Sequence, residues 1–390
     1  MAHPLAGDAL IIANCSGFFG DRLSAAKEMV QGGPIHVLTG DYLAELTMAL
    51  LFKKKLKAPD AGYVPTFLSQ MEDIMGMCLE KQIRVVTNAG GLNPAGMAQA
   101  LTTLAASLGL APKIAYIDGD DLMPRLAELQ AAGEALTHMD KGIDLAASKA
   151  IPITANAYLG GWGIAEALER DADIVVCGRV ADAALAAGPA AWHFGWDRTD
   201  WNCLAGAYAA GHIIECGAQA TGGNYAFIHE VPSFHNVGFP IAEIRADGSF
   251  VISKHPGTGG RVSVGTVTAQ LLYEIDAPRY LTPDVTVRFD TLDLEQEGPD
   301  RVRVRGTQGE PPPETAKVCI NTLGGHKNAM TVILTGLDID VAEMHIEKLH
   351  AADLLELFLD PPAGLQRVLQ AMAHGLLVEL AVRGQEREQP

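Results

Sequence analysis

Apolar and polar positions follow two different periods along the first half of the chain. Short apolar runs rich in Val and Ile predict buried strands, and longer stretches with apolar residues at every third or fourth position predict helices. The predicted strands are 9–14, 35–39, 84–88, 113–117, 153–157 and 174–177. The predicted helices are 23–30, 42–57, 67–81, one that begins at 93–94, 122–131 and 162–169. Because strands that alternate with helices are joined by right-handed crossovers, this half predicts a mostly parallel sheet with flanking helices.

The pattern changes near residue 220, where short strands flank turn signals. Residues 241–244 and 250–253 enclose an Ala-Asp-Gly turn, and residues 285–292 and 302–304 enclose a Glu-Gly-Pro-Asp turn. These two arrangements predict antiparallel hairpins. Further strands are predicted at 318–322 and 331–335, and amphipathic helices at 341–359 and 365–382.

These patterns predict an α/β fold in three parts. We expect an α/β parallel-sheet domain over residues 1–220 and a smaller α+β domain with antiparallel hairpins over 221–340. Residues 341–390 are expected to form C-terminal helices and a polar tail.

Composition narrows the kind of protein. The 390 residues are 48% hydrophobic, which is enough for a large core, and the net charge is −18. This negative charge disfavours binding to nucleic acid or to an anionic membrane surface. No apolar run approaches the length of a membrane-spanning helix, and no basic leader precedes the first strand. Six scattered cysteines without a CxxC pair are typical of a reduced, cytoplasmic protein.

Glycine is the residue whose placement is most informative. Many of the 41 glycines form pairs that follow predicted strands, and these pairs stand beside Asn, Thr, Arg or His. Neither a GxGxxG fingerprint nor a phosphate-binding GxxxxGK[ST] loop is present. Each pair alone is a plain turn more often than not, but together they predict a ligand cleft at the carboxyl ends of the strands. The expected lining residues are Asn88, Gly90, Gly91, Asn93, Thr221, Gly222, Gly223, Gly259 and Gly260.

The segment 211–223 carries most of the candidate chemistry. On a helix, His212, Glu215 and Gln219 would be neighbours, and Cys216 would lie one turn from His212. His and Glu suit general acid/base catalysis, and a thiol beside a protonated His can become a nucleophilic thiolate. The same residue types also bind metals, but we expect no metal here because a second ligand pair is missing. A helix end packed under a Gly-rich loop is the structural alternative.

An Arg–Asp pair follows the predicted strand 174–177. Arg179 could hold a carboxylate or phosphate, and Asp182 could act as a base. A purely structural ion pair explains the same spacing equally well. Asp21 and Arg22 repeat the pairing after the first strand.

Five motifs together resemble the AtuA-like acyclic terpene utilisation family. In chain order they are Gly17-Phe18-Phe19-Gly20-Asp21-Arg22, Asp41 to Thr47, Asn88 to Pro94, Gly178 to Asp182, and Gly211 to Gly223. The resemblance implies a cytoplasmic catabolic protein associated with acyl-CoA pathways such as citronellol and geraniol breakdown.

The chain also departs from the family pattern. Asp41 stands where the family usually carries Glu, and Tyr42 stands where it usually carries Cys. The family's usual continuation is not expected after about residue 345. These departures allow a different substrate.

The residues and the resemblance lead to one main functional hypothesis and two alternatives. The main hypothesis is a lyase or hydratase that acts on a carboxylate or acyl-CoA intermediate and needs no redox cofactor. His212, Glu215 and Asp182 would supply the acid and base, and Arg179 or Arg22 would hold an anionic group.

The first alternative is a hydrolase or transferase that uses Cys216 as nucleophile. The second is a non-catalytic, ligand-binding subunit of an acyl-CoA complex. The expected partners are the small-molecule substrate, whose CoA moiety could be bound, and another copy of the chain or an enzyme of the same pathway.

Overall fold

The computed structural model of the chain describes residues 8–324. Residues up to Leu323 belong to one compact unit, and a second unit begins at Gly324. The predicted strand at 331–335, the predicted helices at 341–359 and 365–382, and the tail lie outside the described residues.

Strands and helices alternate over the first half, as the pattern predicted. The described strands are β1 (Ala9–Asn14), β2 (Val37–Gly40), β3 (Arg84–Thr87), β4 (Ile114–Ile117), β5 (Ile151–Ala157), β6 (Ile174–Cys177), β7 (Pro240–Arg245), β8 (Phe250–Lys254), β9 (Arg279–Leu281), β10 (Thr286–Arg288), β11 (Asp293–Gly298), β12 (Arg301–Arg305), β13 (Gln308–Glu310) and β14 (Val318–Leu323). The described α-helices are α1 (Ala25–Gly32), α2 (Glu45–Lys57), α3 (Pro65–Glu80), α4 (Pro94–Ser107), α5 (Leu126–Ala131), α6 (Leu145–Ser148), α7 (Trp162–Glu169), α8 (Ala184–Phe194), α9 (Trp201–Glu215) and α10 (Val264–Leu271). Among residues 8–324, no helix has both the length and the apolar surface that crossing a bilayer requires.

One nine-stranded sheet organises the fold, in the order β11-β12-β8-β7-β1-β2-β3-β6-β4. Strands β1, β2, β3, β6 and β4 are parallel, and the two hairpins β7–β8 and β11–β12 extend the sheet antiparallel. The predicted α/β class with a mostly parallel sheet and later hairpins is confirmed. The change of strand direction after residue 220 takes place inside this sheet, and the division into domains at that residue stays a prediction.

Two strand assignments needed correction. The strand predicted at 285–292 is split: β10 pairs with β9 and β13 in a three-stranded sheet, and the second hairpin begins at Asp293 instead. Strand β5 was expected in the parallel series but pairs antiparallel with β14 in a separate two-stranded sheet. Strand β10 pairs with strands that are close to it in sequence, whereas the partner of β5 lies about 160 residues further along the chain. The partner of β5 could therefore not be identified from local pattern.

Apolar side chains cover both faces of the large sheet. In β1, Leu10 and Ile12 point to one face and Ala13 to the other, as the two-residue period of a strand requires. Helices α7 to α10 cover the first face, and α1 to α4 cover the second. A sheet buried on both faces explains why its parallel strands appear in the sequence as continuous apolar runs.

The strand order creates a reversal point in the sheet. The chain passes from β1 through β2 and β3 to the edge strand β4, and then returns to place β6 between β3 and β4. The later crossover helices therefore lie on the opposite face from the earlier ones. Loops at the carboxyl ends of strands beside such a reversal are where open α/β sheets bind ligands.

Candidate active site

Four buried polar residues stand at the carboxyl ends of adjacent parallel strands. Asn14 ends β1, Asp41 follows β2, Asn88 follows β3, and Arg179 follows β6. Each is at most 4% exposed. Since parallel strands end at the same edge of a sheet, these side chains meet in one place. Polar groups buried this deeply need partners, which the surrounding loops and α9 provide.

The Asn14 amide joins β1 to the end of α9. Its Nδ2 donates to the carbonyl oxygens of Ile214 at 2.7 Å and Glu215 at 3.0 Å, and its Oδ1 accepts from Thr39 at 3.3 Å. The last carbonyls of a helix lack partners inside the helix, so this amide satisfies two of them. The contact also places Glu215 above the strand ends.

Asp41 is held by its neighbours in a fixed orientation. Its Oδ1 accepts hydrogen bonds from Asn88 Nδ2 at 2.6 Å and from the backbone N–H of Leu43 at 3.1 Å. Asn88 is held in turn, because its Oδ1 accepts from the backbone N–H of Tyr42 at 2.8 Å. The structure therefore places the predicted lining residue Asn88 in this polar cluster, where it orients Asp41.

The predicted Arg179–Asp182 pair is present and buried on the arginine side. Nη1 of Arg179 donates to Asp182 Oδ1 at 2.7 Å, and Nη2 lies 3.4 Å from Oδ2. The guanidinium also stacks on the Tyr158 ring at 4.2 Å from its centre. The side chain of Arg179 is 2% exposed and that of Asp182 is 28% exposed. Of the pair, Asp182 is the side chain that faces solvent.

His212 and Glu215 are adjacent on α9, as their spacing predicted. His212 Nδ1 lies 3.3 Å from Glu215 Oε1, and its Nε2 lies 3.1 Å from the carbonyl oxygen of Gln270. Because a carbonyl can only accept, Nε2 carries the hydrogen of that bond. Burial lowers the pKa of His212 to about 4, so the imidazole is neutral near pH 7 and Nδ1 presents a lone pair.

Three carboxylates converge at this place. Oxygen atoms of Asp41, Asp182 and Glu215 lie within 4.8 Å of one another. They line a narrow cavity of about 10 Å³, which is close to the space that one water molecule or ion needs. Burial and the neighbouring carboxylates raise the pKa of Asp41 and of Glu215, and the Arg179 guanidinium offsets part of this effect.

Helix α9 ends sooner than the sequence pattern suggested. It stops at Glu215, and Gly217 adopts a left-handed conformation with φ of 58°. Gln219 therefore lies on a short 3-10 turn and not on the face of His212, which corrects the predicted helical array. Burial and the nearby Glu215 raise the pKa of the Cys216 thiol. A raised pKa reduces the fraction of thiolate at neutral pH and so disfavours a nucleophilic role for Cys216.

Asp21 and Arg22 do not repeat the Arg179–Asp182 arrangement. Arg22 Nη2 donates to Glu28 Oε2 at 2.8 Å and to the carbonyl of Val237 at 2.8 Å. Asp21 instead accepts from the backbone N–H groups of Gly17 and of Arg22 itself. The Asp21 carboxylate therefore closes the loop 17–22 by binding its backbone N–H groups. These donors are nearer to it than the Arg22 guanidinium.

The first Gly-Gly loop closes the packing between strand ends. A Cβ on Gly90 would lie 2.5 Å from the carbonyl oxygen of Cys177, so only glycine permits the approach to β6. Gly91 adopts a left-handed φ of 52°. Asn93 caps α4 by accepting from the Gly96 N–H at 3.0 Å. Each of these residues has a structural contact that explains its type.

The two later Gly-Gly loops pack against each other. The Thr221 hydroxyl donates to the Gly238 carbonyl at 2.7 Å, and the Thr221 carbonyl accepts from Arg261. Left-handed φ angles occur at Gly222 (116°) and Gly260 (81°), and a Cβ on Gly223 would lie 2.9 Å from the Ala218 carbonyl oxygen. Hydrogen bonds and close approaches that involve the loop backbone therefore fix the conformation of both loops.

An open groove lies beside these loops. It shares no lining residue with the carboxylate cavity, and its walls include Arg22, Glu28, His235, Thr258 and Gly259. The structure thus places only some of the predicted site residues at these two locations. The buried cluster holds Asn88, Arg179, Asp182, His212 and Glu215, and the groove holds Arg22 and Gly259.

Sequence reasoning missed three residues of the buried cluster: Asn14, Thr39 and, except as part of a family motif, Asp41. All three stand at the end of β1 or β2. A polar residue at the end of a buried strand was the available signal, and the position of Arg179 after the strand 174–177 is a similar one.

The fold and the cluster define an open α/β protein with a polar, carboxylate-rich site at the reversal point of its sheet. Residues 10–357 match the family model described as acyclic terpene utilisation family protein AtuA, and the chain belongs to this family. The match continues past residue 345, where the resemblance was expected to end. Family membership indicates a role in acyclic terpene utilisation. No curated protein and no solved structure matches the chain.

Proposed function

We propose that this chain is an enzyme of acyclic terpenoid breakdown that adds water to, or removes water from, a carboxylate or acyl-CoA intermediate. The observation that supports this most directly is the Arg179–Asp182 pair. Asp182 is the only partly exposed member of the carboxylate cluster within the described residues, and a buried guanidinium fixes its orientation. A positioned carboxylate at the rim of a polar cavity is what general acid/base catalysis requires.

Asp182 is the proton-transfer group in this proposal. In the hydration direction, the substrate carries a double bond between its α and β carbons. The water oxygen forms a bond to the β carbon, and Asp182 takes the proton that the water loses. The π electrons of the double bond move to the α carbon, which then receives that proton from Asp182. One water is added and the carboxylate is regenerated; the reverse sequence eliminates water. No oxidant or reductant is needed.

The buried members of the cluster are assigned supporting roles. Arg179 holds the Asp182 carboxylate, because its guanidinium is already engaged there and lies away from solvent. Glu215 and His212 are more than nine-tenths buried, so we assign them to shaping the cluster.

The groove beside Arg22 is the proposed location for an anionic part of a long substrate, such as a CoA moiety. The Gly17–Arg22 loop connects the two places: a Cβ on Gly17 would lie 2.6 Å from Cys216, and Arg22 lines the groove. The argument for Asp182 does not depend on this assignment.

The test measures incorporation of oxygen from water. The purified chain is incubated in ¹⁸O-labelled water with acyclic terpenoid acids and their CoA thioesters, and products are analysed by mass spectrometry. The expected result is ¹⁸O in one product class, with the rate reduced by about 100-fold or more in Asp182→Asn.

Asp118→Asn is the matched control, because Asp118 is an exposed aspartate that follows another strand of the same sheet, β4. It should retain the wild-type rate. Absence of labelled product with every substrate, or a fully active Asp182→Asn variant with wild-type Tm, would contradict the proposal.

A further inference from the structure

The carboxylate cluster carries an excess of negative charge in a confined space. Asp41, Asp182 and Glu215 contribute −3 and Arg179 contributes +1, which leaves −2 when all four groups are ionised. Asp41 and Glu215 are less than a tenth exposed, so water cannot solvate this charge well. Like charges held this close in a protein interior require a counter-charge or bound protons.

The distances between the carboxylates suit a single ion. Two oxygens that bind one cation at roughly 2.0–2.6 Å are separated by at most about 4–5 Å. The oxygens of Asp41, Asp182 and Glu215 satisfy this limit, since all lie within 4.8 Å of one another. The narrow cavity between them has room for one ion.

A second, independent observation is that, within the described residues, two buried polar atoms of this cluster lack hydrogen-bond partners, the first of them on His212. Its side chain is 2% exposed, and its Nδ1 has no hydrogen-bond partner among residues 8–324 although it lies 3.3 Å from Glu215 Oε1. The other ring nitrogen is fixed by the Gln270 carbonyl. His212 does not line the cavity, so we count it as a neighbour of Glu215 and not as a ligand. Oε2 of Glu215 is likewise buried without a hydrogen-bond partner in the described part of the chain.

We propose that Asp41, Asp182 and Glu215 bind one divalent cation of the oxygen-preferring class, such as Mg²⁺ or Mn²⁺, at the carboxyl ends of β2 and β6. Carboxylates select this class of cation. The fold supplies the second ligand pair that segment 211–223 lacks, because Asp41 and Asp182 approach Glu215 from two strand ends. The inference builds on the proposed function, because it places the cation beside the same Asp182, where it would polarise a substrate carbonyl.

The test measures binding without turnover. Chelator-treated protein is titrated with Mn²⁺ up to about 1 mM, and free Mn²⁺ is followed by electron paramagnetic resonance. The wild type should bind one ion per chain, with competition from Mg²⁺ and an increase in Tm on binding. Asp41→Asn and Glu215→Gln should each weaken binding by at least about tenfold.

Glu169→Gln, which changes an exposed carboxylate at the end of α7, is the matched control and should bind like the wild type. Asp182→Asn, at a less buried position, serves if the other two variants do not fold. The proposal is overturned if the wild type binds no Mn²⁺, in which case protons alone balance the cluster, or if binding is equal in all folded cluster variants.

Failure here is distinguishable from failure of the proposed function. ¹⁸O incorporation that depends on Asp182, without Mn²⁺ binding, would remove the cation and retain the enzyme. Mn²⁺ binding that depends on Asp41, without turnover of any substrate, would retain the cation site and remove the proposed enzymatic function.

Discussion

The guanidinium carbon of Arg179 lies 4.2 Å from the centre of the Tyr158 ring while the same group pairs with Asp182. The charge is thus covered on one side by an aromatic face and neutralised on the other by a carboxylate. Arg179→Ala would leave Asp182 without its partner and Tyr158 without its stacking group. We expect a loss of about 3–5 kcal/mol in the free energy of unfolding, measured by urea denaturation.

Arg305→Ala is the matched control for that measurement. Arg305 also pairs with an aspartate, Asp293 at 2.8 Å, but both side chains are more than half exposed. Exposed pairs contribute little, so this variant should unfold close to the wild type. Equal effects of the two substitutions would show that burial of Arg179 does not determine its contribution.

Gly211 determines how closely α9 approaches the start of α8. A Cβ at this position would lie 2.5 Å from the carbonyl oxygen of Ala183, which is backbone and cannot move aside. Gly211→Ala should destabilise the protein by about 1–3 kcal/mol. Gly76 is the matched helical glycine, because a Cβ there would meet only Leu110 at 3.9 Å. Gly76→Ala should stabilise by about 0.5–1 kcal/mol, as helix propensity predicts, and thermal unfolding separates the two signs.

His36 gives the fold a defined dependence on pH. Its Nδ1 accepts a hydrogen bond from the Ile11 N–H at 3.0 Å, and burial lowers its pKa below the usual 6.5. Below pH 6.5 the unfolded chain therefore binds a proton that the folded protein resists, so stability is lost as pH falls through this range.

The His36→Asn variant should show a flatter dependence of its urea midpoint on pH between about 7 and 5 than the wild type. His229→Asn is the matched control, because it measures the effect on the same slope of losing an exposed histidine. A slope unchanged in His36→Asn would show that His36 does not contribute to it.

The Cys216 thiol is expected to have no chemical role. Since burial and Glu215 raise its pKa, iodoacetamide should label it slowly at pH 7.5, and Cys216→Ala should retain turnover in the ¹⁸O assay. Cys203→Ala, at another partly exposed thiol, controls for the loss of a cysteine. Abolished turnover in Cys216→Ala alone would restore the nucleophile hypothesis.

The sequence was sufficient for elements whose signals are local. Ala9–Asn14, Trp162–Glu169 and Ile174–Cys177 match the predicted bounds residue for residue, because each is an apolar run or periodic stretch bounded by turn residues. Strand β5 was also predicted from a local apolar run, but it does not pair with the parallel strands beside which it was expected. Its partner β14 is far away in sequence, and periodicity carries no information about pairing.

The same distinction applies to the candidate site. The Arg179–Asp182 and His212–Glu215 contacts follow from spacings of three residues, which local geometry brings together. The approach of Asp41 to Glu215 depends on the strand order and on the docking of α9. Those are tertiary features, and no pattern within the segment predicts them.

The hydrogen bonds from Asn14 to the end of α9 join positions about 200 residues apart. During synthesis the strand that carries Asn14 is made early, and the helix end that it binds is made only after the parallel strands are complete. Ordering so long an intervening segment costs conformational entropy before the contact can form. We therefore expect Glu215 to join Asp41 late in folding, so that repulsion among the three carboxylates opposes the last steps and not the first.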